Sequence, residues 1–165
     1  MEKLSDKNKT IDELYSQVIK ILEENSDKRV IILGTTCTGK TTLLKKVKNK
    51  FTGAEDRDEL MLKMLDKKDS EYARKTNFRH WPKKLSDKAI KIIREKIKVE
   101  PGKPIFGTEV LDCDLIIYLK INDLLLRKRT IARKVDFNYA KNLQKVIETE
   151  IKNSGIKTIE ISISK

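Results

Sequence analysis

One run of eight residues carries the clearest chemistry in this chain, Gly34-Thr35-Thr36-Cys37-Thr38-Gly39-Lys40-Thr41, with Thr42 directly after it. A polyphosphate is a dense anion, and a loop that binds one must bring many N–H donors close to it with no Cβ in the way. Gly34 and Gly39 permit that backbone path. A helix starting near Lys40 adds its first N–H groups and the positive end of its dipole. The Lys40 ammonium can then reach the outer phosphates, and the Thr41 hydroxyl can ligate Mg²⁺.

Two elements must hold such a loop. Before it stands Val30-Ile31-Ile32-Leu33, short, rich in β-branched residues and without polar alternation, as expected for a strand buried on both faces of a parallel sheet. After it, Leu43, Leu44 and Val47 recur at helical spacing to about Lys50. With this strand, loop and helix in order, the segment resembles the P-loop, or Walker A motif, of the P-loop NTPases. The resemblance implies ATP and Mg²⁺ as ligands, with residues 34 to 42 around the phosphates.

The rest of the chain supplies further elements. Thr10 and Glu13 form a capping box for a helix over residues 10 to 25 that carries Ile11, Leu14, Val18, Ile21 and Leu22. Residues 56 to 75 are helical in pattern, residues 77 to 84 form a loop around His80-Trp81-Pro82, and Ser86 caps a helix bearing Ile90, Ile93 and Ile97. No strand is expected between Phe51 and Glu100. Residues 103 to 110 and 115 to 121 read as strands, and Asn122 caps a helix to about Arg133. A longer helix covers roughly 137 to 153, Gly155 stops it, and residues 156 to 163 form a last strand. Strands alternating with helices indicate a three-layer α/β fold with a mostly parallel sheet flanked by helices. Residues 1 to 28 are expected as an N-terminal helical extension and 29 to 165 as the nucleotide-binding domain.

Within the nucleotide-binding classes, the guanine-reading Asn-Lys-x-Asp and the transporter signature Leu-Ser-Gly-Gly are absent. The C-terminal half resembles the small P-loop kinases, the group of nucleoside, nucleotide and shikimate-type enzymes. The likeness lies in Asp114-Leu115-Ile116-Ile117-Tyr118-Leu119, then Asn122, then the cluster Arg127-Lys128-Arg129-Thr130-Ile131-Ala132-Arg133, then a final helix and strand. It implies that Arg129 and Arg133 belong to a lid over the nucleotide. A transferring phosphoryl group spreads charge over its oxygens, and Arg offers fixed bidentate donors to it.

Phe106-Gly107-Thr108-Glu109-Val110-Leu111 is faintly similar to the uridine-kinase segment Phe-Glu-Gly-Ile-Leu, with a different order. Glu109 and Asp112 are the candidates for an acid that holds Mg²⁺ through water. In Glu55-Asp56-Arg57-Asp58, either Asp56 or Asp58 could accept a proton from a substrate hydroxyl, and a solvated charge run is the competing reading. His80 and Trp81, between Arg79 and Pro82, could wall an acceptor site, against a packed loop aromatic as the alternative.

Composition narrows the partners. The net charge is +12, yet 29 of the 37 basic residues are lysines spread over nearly every segment and interleaved with acids, so the charge reads first as a solvated surface. Nucleic acid is allowed by that charge but not favoured. No apolar run approaches the roughly 20 residues that cross a bilayer, so no membrane association is expected. The N-terminus has no apolar signal segment, and Cys37 and Cys113 alone make no disulfide framework, which points to the cytoplasm. The expected function is transfer of the γ-phosphoryl group of ATP to a small-molecule acceptor such as a nucleoside or nucleotide. An ATPase or nucleotide-dependent switch acting with a protein partner or nucleic acid is the alternative.

Overall fold

The two most apolar runs of the chain sit side by side in the middle of a sheet. The computed structural model describes residues 2–4, 11–76, 78 and 80–164. In chain order these form β1 (Glu2–Leu4), α1 (Ile11–Glu24), β2 (Val30–Leu33), α2 (Lys40–Val47), β3 (Glu55–Asp56), α3 (Arg57–Met64), α4 (Lys67–Lys75) and α5 (Lys83–Glu95). There follow β4 (Ile105–Gly107), β5 (Leu115–Ile121), α6 (Asp123–Ala132), α7 (Phe137–Ser154) and β6 (Lys157–Ile163). Among the described residues, six strands form one all-parallel sheet in the order β1-β6-β5-β2-β4-β3.

The period of two within each strand divides the core into two layers. Val30 and Ile32 of β2, with Leu115, Ile117, Leu119 and Ile121 of β5, pack against the apolar faces of α1 and α2. Ile31, Leu33, Ile116 and Tyr118 face the other way, against α3, α5 and α7. Because both faces are covered, β2 and β5 carry no outward polar face, which is why their sequences lack alternation. Helix α1 lies in the same core cluster as β2 and α2, through Leu14, Val18, Ile21 and Leu22.

Chain direction places a crevice. From β2 the chain runs through α2 to β3 on one side, while from β5 it runs through α6 and α7 to β6 on the other. The carboxyl ends of β2 and β5 therefore form a topological switch point, where departing connections diverge and leave room for a ligand.

Several boundaries differ from the sequence reading. The two-residue β3 lies where no strand was expected, and its brevity explains why no apolar pattern announced it. Helix α5 starts at Lys83 with Pro82 at its N-cap and no side-chain cap, so Ser86 is inside the helix rather than at its start. Ile90 is exposed, while Leu85, Ala89, Ile92 and Ile93 form the buried face. Helix α2 ends at Val47, and β4 covers only Ile105–Gly107 of the longer strand expected. Asn122 caps α6 as expected, its Oδ1 accepting from Leu125 N at 2.8 Å. Thr10 of the proposed capping box lies outside the described residues. No helix among the described residues is long and apolar enough to cross a membrane.

Candidate functional site

The loop from Gly34 to Thr41 leaves the carboxyl end of β2, at the switch point, and enters α2 at Lys40. Gly34 is needed for space: a Cβ there would lie 2.9 Å from Thr38 Oγ1 and 3.3 Å from the Leu119 carbonyl oxygen. Gly39 is needed for conformation, with φ at 98° just before the helix. Cys37 also has positive φ, 66°, so two of three consecutive loop residues take the left-handed backbone from which anion-binding concavities are built.

The loop is braced from several sides. Thr38 Oγ1 donates to the Thr35 carbonyl, and Thr35 Oγ1 donates to the Ala140 carbonyl of α7 at 2.5 Å. Lys40 bends back under the loop, its Nζ donating to the carbonyls of Gly34 at 2.5 Å and Thr35 at 2.8 Å. The residue is half-buried with its ammonium against these carbonyls, and burial pushes its pKa down to about 8 against the pull of Asp56 and Asp58. On the outer side, Arg129 Nη1 donates to the carbonyls of Thr38 at 2.9 Å and Cys37 at 3.3 Å.

A cavity of about 530 Å³ opens from the loop. Thr36 to Thr41 form one wall. Asp56, Arg57 and Asp58, at the junction of β3 and α3, and Glu109, just beyond β4, line the cavity as well. Asp56 is the N-cap of α3: its Oδ1 accepts from Asp58 N at 2.9 Å and Glu59 N at 3.2 Å. Burial and the neighbouring Asp58 push the Asp56 carboxyl above the usual carboxylate range, although these two N–H groups and Lys40 pull it down. Arg57 is 8% exposed. It binds Asp58 Oδ1 through Nε at 3.1 Å and Nη2 at 2.5 Å, and its Nη1 forms an ion pair with Glu109 Oε2 at 3.0 Å. Burial opposes the charge on Arg57, but Asp58 and Glu109 outweigh it and hold the guanidinium protonated.

Part of the lining is apolar. Met61 of α3 and Ala89, Ile90 and Ile93 of α5 contribute to it beside Phe78 and Trp81, whose rings lie 5.7 Å apart and tilted by 39°. Trp81 Nε1 donates to Thr76 Oγ1 at 3.0 Å, which fixes the indole. Phe78 itself has φ at 61°, a conformation costing about 1 to 2 kcal/mol for a residue with a Cβ.

The residues singled out in the sequence divide as follows. Thr36, Cys37, Thr38, Gly39, Lys40 and Thr41 line the cavity together with Glu109 and Arg133, whereas Gly34 and Thr35 shape the loop without lining it and Thr42 is exposed on α2. Arg129 grips the loop backbone from outside rather than facing the cavity beside Arg133. Asp112 does not reach the site. It precedes β5, pairs with Arg29 at 2.8 Å, and so lies at the amino ends of the strands, across the sheet from the loop. Trp81 reaches the cavity, His80 does not line it, and Arg79 lies outside the described residues. Arg57 and Phe78 were missed. The sequence signal for Arg57 was its place inside Glu55-Asp56-Arg57-Asp58, a run read for its carboxylates alone.

Among the described residues, no group of three or more His, Cys, Asp or Glu could hold a metal ion unaided. Mg²⁺ does not need one, because it keeps several waters and takes one or two protein ligands beside phosphate oxygens. The exposed Thr41 hydroxyl in the first turn of α2, with Glu109 in the lining of the same cavity, fits that mode. No family model matches this sequence, and no curated protein matches it.

Proposed function

We propose that this chain is a P-loop phosphotransferase that moves the γ-phosphoryl group of MgATP to a hydroxyl or phosphate oxygen of a small molecule. The observation that carries this reading is one cavity whose lining joins a glycine loop and its central lysine to a carboxylate cluster and to an aromatic and apolar wall. A hydrolase or switch has no use for that aromatic and apolar wall.

In this reading the N–H groups of the loop and the first turn of α2 hold the β and γ phosphates, and Lys40 exchanges a loop carbonyl for phosphate oxygen. Thr41 ligates Mg²⁺ and Glu109 meets it through water. Bound Mg²⁺ neutralises charge on the outer phosphate oxygens. Asp56 Oδ2, which takes no part in capping α3, accepts the proton of the acceptor hydroxyl as its oxygen bonds to the γ-phosphorus. The bond from that phosphorus to the β–γ bridging oxygen breaks, and ADP departs. Arg133 faces the oxygens of the transferring group, and Arg129 keeps the loop in place from behind.

ATP turnover measured alone, with nucleosides, nucleotides and other small hydroxyl acceptors, and with DNA or RNA, tests the proposal. ADP formation that depends on a small acceptor is expected. Acceptor-independent hydrolysis, or stimulation by nucleic acid alone, would overturn it. Lys40→Ala removes a charge-assisted contact of about 1.5 to 3 kcal/mol, or roughly 10- to 150-fold in ATP affinity. Unchanged affinity in that variant would remove Lys40 from the phosphate site.

A further inference from the structure

Arg57 stands where stability alone would not put it. Among the described residues it is the only lysine or arginine that is buried, in a chain that leaves its other described cations at least partly in water. It also opens α3, where a positive charge meets the positive end of the helix dipole. Burying a guanidinium is costly, and pairing it seldom returns more than the cost.

Its partners come from two elements. Nε and Nη2 donate to Asp58 Oδ1 at 3.1 and 2.5 Å, while Nη1 lies 3.0 Å from Glu109 Oε2. Asp58 is in the first turn of α3 and Glu109 in the loop after β4. Gly107, the last residue of β4, makes room for this: a Cβ there would lie 3.3 Å from Arg57 Cβ and 3.7 Å from Cδ. The Arg57 stem therefore crosses the end of β4 and brings the guanidinium to Glu109, two residues further along. The side chains of Asp58 and Glu109 are 36% and 49% exposed, so water could solvate both without Arg57. What the guanidinium adds is position. A rigid plane with donors on separate edges fixes two carboxylates relative to each other, whereas an ammonium is a single point of donation.

We infer that Arg57 is a positioning residue for the metal: anchored on Asp58, it holds the Glu109 carboxylate ready for the water shell of Mg²⁺. This deepens the phosphotransferase reading and rests on it. A carboxylate that serves a metal is itself oriented by its neighbours, and losing such a neighbour costs about 10- to 100-fold in metal affinity. The same network continues to the proton acceptor, because Asp58 N donates to Asp56 Oδ1. The acid that meets the metal and the acid that takes the proton thus share one support.

ATP binding by the full chain, titrated against Mg²⁺, tests this without an acceptor. Arg57→Lys keeps the charge and removes the fork, so it isolates orientation from electrostatics. The Mg²⁺ concentration for half-maximal ATP binding rises about tenfold in Arg57→Lys, as it does in Glu109→Ala, and rises no further in the double variant. Asp58→Asn weakens the anchor and shifts the requirement in the same direction. Should Arg57→Lys fold poorly, as a thermal melt would show, Asp58→Asn carries the test, since its side chain is partly exposed. An unchanged Mg²⁺ requirement in a folded Arg57→Lys or in Asp58→Asn would overturn the inference. Additive shifts in the double variant would do the same, because they mark an effect that bypasses Glu109. A wild-type chain that binds no MgATP would remove the phosphotransferase reading itself, and this inference with it.

Discussion

At the scale of residues, Lys40 shows how one side chain can pull folding and binding in opposite directions. Its ammonium lies under loop carbonyls, and burial lowers its pKa from 10.5 in the free side chain to about 8. Between those two values the unfolded chain holds a proton that the folded chain has released, so the contribution of Lys40 to stability rises with pH from about 8 to 10.5. Phosphate binding has the reverse requirement, because only the charged ammonium attracts the anion. ATP affinity is therefore expected to fall above pH 8, by up to about tenfold per pH unit, with proton uptake on binding in that range. Titrations in buffers of different ionisation enthalpy would show that uptake. The same series on Lys40→Ala should be flat across pH 7 to 10, and a surviving pH dependence there would assign the titration to another group.

Elements set the direction of the carboxylates. Asp56 is both the N-cap of α3 and a wall of the cavity, through different oxygens, since both capping N–H groups reach Oδ1. This separates its two roles experimentally. Asp56→Asn keeps a capping oxygen and should melt close to wild type, whereas Asp56→Ala loses the cap, about 1 kcal/mol or roughly 2 to 4 °C in a chain of this size. Both should lower turnover by about 10²- to 10⁴-fold if Asp56 takes the proton. Wild-type turnover in Asp56→Asn would shift that role to Asp58, which Arg57 holds in place. The strand that delivers this pair, β3, is two residues long and polar, held in register against Ile105 and Phe106 of β4. A sheet partner, not its own pattern, makes it a strand.

For the whole molecule, the parallel sheet gives the protein two chemically distinct ends. Glu109 lies at the carboxyl end, near the loop, and Asp112 three residues later lies at the amino end, joined to Arg29. The chain crosses the sheet between them, so two acids close in sequence are far apart in role. Asp112→Ala should leave the Mg²⁺ dependence of turnover unchanged, with only a small loss of stability, because its ion pair is exposed. Glu109→Ala should raise the Mg²⁺ concentration for half-maximal activity by about tenfold. The reverse pattern would place the metal at the other end of the sheet.

By itself the sequence determined the features that depend on local chemistry. The glycine loop, its buried strand, its helix, the Asn122 cap and the last strand were legible because steric freedom, hydrogen-bond capping and hydrophobic period act within a few residues. The alternation of helices and strands made the parallel α/β sheet legible as well. The tertiary structure decided everything that depends on which strands become neighbours: that β3 exists, that Arg57 clamps Asp58 and Glu109, that Arg129 braces the loop from outside, and that Asp112 stands at the wrong end. Strand order and crossover direction are long-range outcomes of burying two faces at once, and no local pattern encodes which polar residues those outcomes bring together.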